Sequence, residues 1–171
     1  MIDVDKNKPN FTWREFYESN QFTFSDSYFL RFLDSVEHTG FYSGYERHFA
    51  WVVYVELSTR VATVRLGDGR EKAALESIVS LFRTIRTEAA NNGPYTAPVS
   101  VWVLSILNSE VRRFTGRWHP QTEFLDQSNT SPEAKQARTL FRGHLRDLQD
   151  VLQKVAQVLF SIATGPFRDD Y

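Results

Sequence analysis

A dense group of side chains that could bind a ligand lies between residues 108 and 119. Arginine guanidinium groups bind phosphate and carboxylate through paired hydrogen bonds, and an indole ring can stack on a nucleobase. The run from Arg112 to Arg117 contains no acidic residue. These residues therefore predict an anion or nucleotide site. The members of the group are Asn108, Arg112, Arg113, Arg117, Trp118 and His119.

The same group also has a purely structural interpretation. Glu56 or Glu110 would neutralise the arginines, because buried charge must be paired and hydrogen-bonded. Trp118 would then close the base of the hydrophobic core. The residue types and their spacing leave both interpretations open.

A catalytic alternative rests on the spacing of arginine and histidine. Arg113 precedes His119 by six residues, and Arg138 precedes His144 by the same interval, which resembles the R-x(4-6)-H motif of HEPN-type ribonucleases. The resemblance implies a metal-independent ribonuclease in which Arg113 stabilises a phosphate and His119 helps to activate the ribose hydroxyl. His144 instead falls on an apolar helical stripe, a position typical of a core histidine.

Three further segments carry a second resemblance: YVELSTRV at 54–61, LESIVSLF at 75–82 with Arg86, and LNSEVRRFTGRWHP at 107–120. They resemble a family of small bacterial proteins with the patterns YVEL-x-TR and LN-x-x-x-R-x-F-x-x-x-WHP, over roughly residues 49 to 160. That family is associated with bacterial conflict and antiphage gene neighbourhoods, which implies a role in defence or regulation. Arg113 stands where the family has a small residue or proline. The resemblance nominates as site residues Glu56, Arg60, Asn108, Arg112, Trp118 and His119.

Composition limits the other classes of function. The chain has no Cys, which excludes disulfides, cysteine-ligated zinc, iron-sulfur clusters and thiol nucleophiles. Its four His lie in four different segments, and no Gly-rich phosphate loop occurs, so we predict no metal and no cofactor. The net charge of −1 gives no overall field to attract nucleic acid.

Two features predict a cytoplasmic protein that does not enter a membrane. The first ten residues lack the apolar core of a secretory signal. The longest apolar run, residues 99–107, is far shorter than the ~20 residues that span a bilayer.

Apolar spacing predicts four main helices. The first covers residues 49–66, with a β-hairpin turning near Ser58 as the alternative. The second begins at Asp68, which would form a capping box with Glu71, and ends at 91–94. The third, central helix opens at 96–98. Gly116 and Pro120 bound its end, with Arg117, Trp118 and His119 in the exit turn, and a polar loop follows at 121–130. The fourth runs from 130–133 to Gly165.

Together these elements predict an all-α fold, an antiparallel four-helix bundle in one domain over residues 1–171. Residues 1–45 would form an aromatic-rich wrapping segment with a short helix near 25–37, residues 46–164 the bundle, and 165–171 a loose tail.

None of these sequence patterns contains all the catalytic residues that an enzyme needs. We therefore predict a non-enzymatic component of a bacterial defence or regulatory system that binds a partner protein or a small anionic or nucleotide ligand through the Arg-Trp-His group. The alternatives are a HEPN-like ribonuclease using Arg113 and His119, and a structural subunit of a larger complex. Each of these three functions is compatible with a homo-oligomer.

Overall fold

The computed structural model describes residues 42–60 and 70–165, and every regular element in those ranges is helical. Three long helices are α1 (Gly44–Thr59), α2 (Glu71–Asn92) and α6 (Pro132–Thr164). Between α2 and α6 the chain forms α3 (Ala97–Ile106), α4 (Arg112–Trp118) and the short α5 (Thr122–Leu125). The all-α prediction is confirmed for this part of the chain. The predicted N-terminal wrap up to residue 41, with its short helix, and the tail from residue 166 lie outside it.

Helix α1 is fixed at its start by a capping box. The Ser43 hydroxyl accepts a hydrogen bond from the Glu46 backbone N–H, and the Glu46 carboxylate accepts one from the Ser43 N–H, at 3.2 and 2.8 Å. The helix continues through Thr59, so the alternative of a hairpin turning near Ser58 is wrong. The remainder of the predicted helix, from residue 61, lies outside the described ranges.

Helix α2 differs from the prediction at its start and agrees at its end. It begins at Glu71 with Arg70 in the capping position, and the Arg70 side chain makes no cap. Asp68, the predicted cap, lies outside the described ranges. Glu71 is 2% exposed, and its carboxylate accepts a 2.7 Å hydrogen bond from Arg142 of α6. At the other end Gly93 has φ +60°, a conformation that favours glycine and that ends the helix as predicted.

The predicted central helix is longer and less regular than expected. It ends between Gly116 and Pro120, at Trp118, so Arg117 and Trp118 are helical and do not belong to the predicted exit turn. A 3-10 turn, His119–Gln121, and α5 follow. Leu125 of α5 is completely buried. The prediction of a polar loop from residue 121 is therefore wrong over α5.

Helix α6 forms as predicted. The Ser131 hydroxyl caps it by accepting from the Ala134 N–H at 3.1 Å, Pro132 occupies its first turn, and it ends at Thr164. Among the described residues, its contact with α1 is the most extensive between two helices. The Arg47 side chain donates to the Ala163 carbonyl at 3.1 Å, and the Tyr42 ring lies against Gly165, where a Cβ would come within 3.3 Å of it.

Hydrogen bonds from a side chain of α6 hold the loop that precedes this helix. Arg138 donates from one guanidinium nitrogen to the carbonyls of Phe124, Asp126 and Asn129, at 2.9 to 3.2 Å. In the same loop the backbone N–H and the hydroxyl of Ser128 donate to the Asp126 carboxylate, which lowers the pKa of Asp126. Loop and helix start are thus one hydrogen-bonded unit.

Candidate functional site

The candidate site begins with a local change of helix geometry. Between α3 and α4 the helix widens into a π turn, Leu107–Val111. Leu107 and Val111 are both buried, while Asn108 between them is exposed. A π turn places one residue more in the turn than an α-helix does, so it rotates everything that follows. The π turn therefore determines which residues of α4 face α6.

The π turn and α4 together share a cleft with α6. On each side the lining residues recur at intervals of three or four, which places them on one helical face. The cleft has a volume of about 210 Å³. The first side contributes Glu110, Arg113, Phe114, Arg117 and Trp118. Helix α6 contributes His144, Asp147, Leu148 and Val151.

A hydrogen bond between Arg117 and His144 joins the two sides. One guanidinium nitrogen of Arg117 lies 3.2 Å from Nε2 of His144. Arginine can only donate, so Nε2 must accept and the imidazole proton must sit on Nδ1. That Nδ1 atom is buried and has no hydrogen-bond partner among the described residues. His144 therefore presents an unpaired N–H donor.

Trp118 supplies a second donor of the same kind. Its side chain is 2% exposed and packs edge-on to Phe141, with ring centroids 5.2 Å apart, and beside His144 at 5.6 Å. Its indole Nε1–H is buried and meets no acceptor within the part of the chain that the structure describes. A buried donor without a partner costs ~1–3 kcal/mol. The ring packs in the core and leaves no open face for the predicted stacking on a nucleobase.

The mouth of the cleft carries charges of both signs. Arg113 is 77% exposed and lies 3.7 Å from the Glu110 carboxylate. Asp147 is exposed on the α6 side, and the described residues include no ion-pair partner for it. Two guanidinium groups and two carboxylates thus surround a partly apolar floor.

The cleft contains three of the eight predicted binding residues, namely Arg113, Arg117 and Trp118. Asn108, Arg112 and His119 are exposed and do not line it.

Glu56 and Arg60, also predicted as binding residues, are engaged elsewhere in holding helices together. Arg60 donates to the Glu56 carboxylate at 2.7 Å and to the hydroxyls of Ser80 and Thr84 on α2, both at 3.0 Å. These contacts tie α1 to α2. Glu56 and Arg60 are four residues apart and form an ion pair, and the geometry supports a structural role for this pair.

The cleft does not bring together either arginine-histidine pair of the ribonuclease hypothesis. Arg113 lines the cleft, whereas His119 lies in the following 3-10 turn and does not. Arg138 is occupied by three backbone carbonyls. The histidine that meets an arginine in the cleft is His144, and its partner is Arg117.

Two residues of the cleft were not among the binding residues predicted from the sequence. His144 was predicted to be a core histidine, and Asp147 was not predicted as a site residue. The signal that could have found them is their spacing, because positions 144, 147, 148 and 151 repeat on one face and mix polar with apolar types.

Comparison with models of known protein families, with curated protein sequences and with solved structures found no match. No group of three His, Asp or Glu residues in the described ranges is arranged to hold a metal ion. None of the described helices combines the length and apolar character needed to cross a bilayer.

Proposed function

We propose that this chain is a non-enzymatic binding component of a bacterial defence or regulatory system, and that it holds a small anionic ligand in the cleft between α4 and α6. The observation that carries the proposal is that two arginines, Arg113 and Arg117, line the same cleft and present guanidinium donors to it. The cleft is also lined by Trp118 and His144, whose buried N–H groups have no acceptor within residues 42–60 and 70–165. Hydrogen bonds to ionised acceptors are the strongest that such donors can make.

The biological setting comes from the resemblance of the 54–61, 75–82 and 107–120 segments to proteins of bacterial conflict systems. A cytoplasmic location fits that setting. The resemblance nominated Arg112 and His119, and the geometry favours Arg117 and His144 in their place.

We extend the proposal to the arrangement of the helices, as an antiparallel four-helix bundle in which the α3–α4 segment counts as one helix. The four-residue turn Gly93–Thr96 joins α2 to α3, and connections this short are typical of antiparallel neighbours. The predicted domain limits remain part of this proposal.

The binding proposal is tested with the purified chain and four probes: inorganic phosphate, acetate, AMP and L-phenylalanine. Isothermal titration should detect binding of at least one probe to the unaltered protein. Arg117→Gln should weaken that binding by about tenfold to a hundredfold, because a hydrogen bond to a charged group contributes ~1.5–3 kcal/mol.

Arg112→Gln is the matched control, since it removes the same charge from the same helix at an exposed position outside the cleft. It should leave the affinity within about twofold, well under the ~1.4 kcal/mol of a tenfold change. Equal losses in the two variants, or no binding of any probe, would exclude the cleft as an anion site.

A ribonuclease is the second candidate, because Arg117 and His144 place a guanidinium beside an imidazole in one cleft. Labelled RNA should stay intact with the unaltered protein, with His144→Ala and with His119→Ala. Cleavage that His144→Ala abolishes would replace the binding proposal with a catalytic one at this cleft. Cleavage that only His119→Ala abolishes would restore the pair predicted from the sequence.

A further inference from the structure

The charges that line the cleft balance one another. Arg113 and Arg117 contribute two positive charges, and Glu110 and Asp147 contribute two negative ones. His144 adds none while Nε2 accepts from Arg117. The contact of Glu110 with the exposed Arg113 is a weak surface pair. A phosphate dianion or a polyanion would meet the carboxylates as well as the arginines.

The size of the cleft favours a ligand smaller than a nucleotide. Its volume is about 210 Å³. A nucleotide has the size of a drug molecule, and pockets for ligands of that size occupy roughly 300–1,000 Å³. A ligand with the size of a free amino acid suits the smaller volume.

Residues of opposite charge occupy neighbouring positions in the lining of the cleft. Asp147 follows His144 by three residues on α6, which is about 4.5 Å along the helix axis. His144 in turn contacts Arg117 across the cleft. For a small molecule whose anionic group touches the Arg117–His144 pair, Asp147 is therefore the acidic residue one helical turn farther along the lining of the same cleft.

The floor of the cleft is apolar. Phe114 and Leu148 are 6% and 5% exposed, and Val151 beside them is partly buried. Apolar surface that a ligand covers at this floor is removed from water, which favours binding. The ligand should therefore combine its two charges with an apolar body.

From these observations we infer that the ligand of the cleft is a small zwitterion with an apolar side chain, of the α-amino acid class. Its carboxylate binds Arg113 and Arg117, its ammonium group binds Asp147, and its side chain covers Phe114 and Leu148. This inference rests on the proposed function, because it specifies the ligand of the same cleft.

The test compares L-phenylalanine and L-leucine with N-acetyl-L-phenylalanine, which lacks the ammonium group, and phenethylamine, which lacks the carboxylate. Isothermal titration should show that a free amino acid binds at least tenfold more tightly than either analogue. Asp147→Asn should remove that preference, lowering the affinity for the amino acid and leaving that for N-acetyl-L-phenylalanine unchanged. Asp150→Asn, an exposed position of α6 outside the cleft, should change neither affinity.

The outcomes separate this inference from the proposed function. Equal binding of L-phenylalanine and its N-acetyl analogue, or tighter binding of AMP or phosphate, would overturn the zwitterion and retain an anion site. Equal effects of Asp147→Asn and Asp150→Asn would also overturn it. If none of the amino acids, analogues, phosphate, acetate or AMP binds, both proposals fail.

Discussion

At the scale of single residues, the indole ring of Trp118 combines two opposing contributions to stability. Its ring fills the core beside Phe141 and His144, and the apolar area buried there favours folding. Its N–H is buried and meets no acceptor among the residues that the structure describes, which disfavours folding by ~1–3 kcal/mol. The ring and its donor group can be separated by substitution.

Trp118→Phe should therefore destabilise the fold by only about 1 kcal/mol, because it keeps an aromatic ring against Phe141 and removes the unpaired donor. Trp118→Ala should cost about 3–5 kcal/mol, because it leaves a cavity. Chemical denaturation of both variants measures the difference. An equal loss of unfolding free energy in the two variants would show that the indole N–H makes a stabilising contact.

A second residue-scale feature is the pair of Glu71 and Arg142. The sequence pattern placed Glu71 in a capping box, whereas its carboxylate is buried and accepts from the Arg142 Nε at 2.7 Å. Local spacing could not indicate this pairing, because 71 residues separate the partners.

Arg142→Leu should destabilise the fold by about 2 kcal/mol, less than the ~3–5 kcal/mol of a fully buried pair because one third of the Arg142 side chain is exposed. The double variant Glu71→Leu with Arg142→Leu should lose clearly less than the sum of the two single variants. A double-mutant cycle by urea denaturation provides the measurement. Additive losses would argue against direct coupling.

At the scale of the elements, sequence patterns predicted helix ends well where a residue has a special backbone role. Gly93 ends α2 through its positive φ, and Ser131 caps α6. The π turn was not predicted, because helical apolar spacing assumes 3.6 residues per turn throughout and Leu107–Val111 departs from it. The cleft depends on that departure.

Deleting Asn108 should convert the π turn to α-helix and leave a folded protein, because the π turn holds one residue more than an α-helical turn. Deleting the exposed Gln153 from α6 is the control: it would rotate the buried residues that follow by about 100° and abolish cooperative unfolding. Thermal denaturation followed by circular dichroism compares the two. Loss of the folded state in both would show that the extra residue is required.

At the scale of the whole molecule, the sequence predicted the all-α class. It did not predict which residues line the cleft. Spacing on one segment could group Arg113 with Arg117, but the partners of Arg117 and Trp118 come from α6. Which face of α6 meets α4 is decided by packing of the entire core. The contact of α1 with α6 is the largest part of that packing.

Because Phe49 of α1 is completely buried in this core, Phe49→Ala should destabilise the fold by about 3–5 kcal/mol. Unfolding should stay cooperative, so circular dichroism and tryptophan fluorescence should report the same transition. A separate early transition in one signal would mean that α1 detaches while the other helices remain folded.

The contacts of Tyr42 with Gly165 and of Arg47 with the Ala163 carbonyl bring the point where the chain enters this helical region beside the point where it leaves. A short linker could therefore connect residues 42 and 165 directly, with new termini opened after the exposed Thr130, beyond the carbonyls to which Arg138 donates. Such a circular permutant would keep the cleft intact. A reporter fused to the new termini would lie at the start of α6, near Ser131. Residues 42 and 165 lie at the other end of that helix.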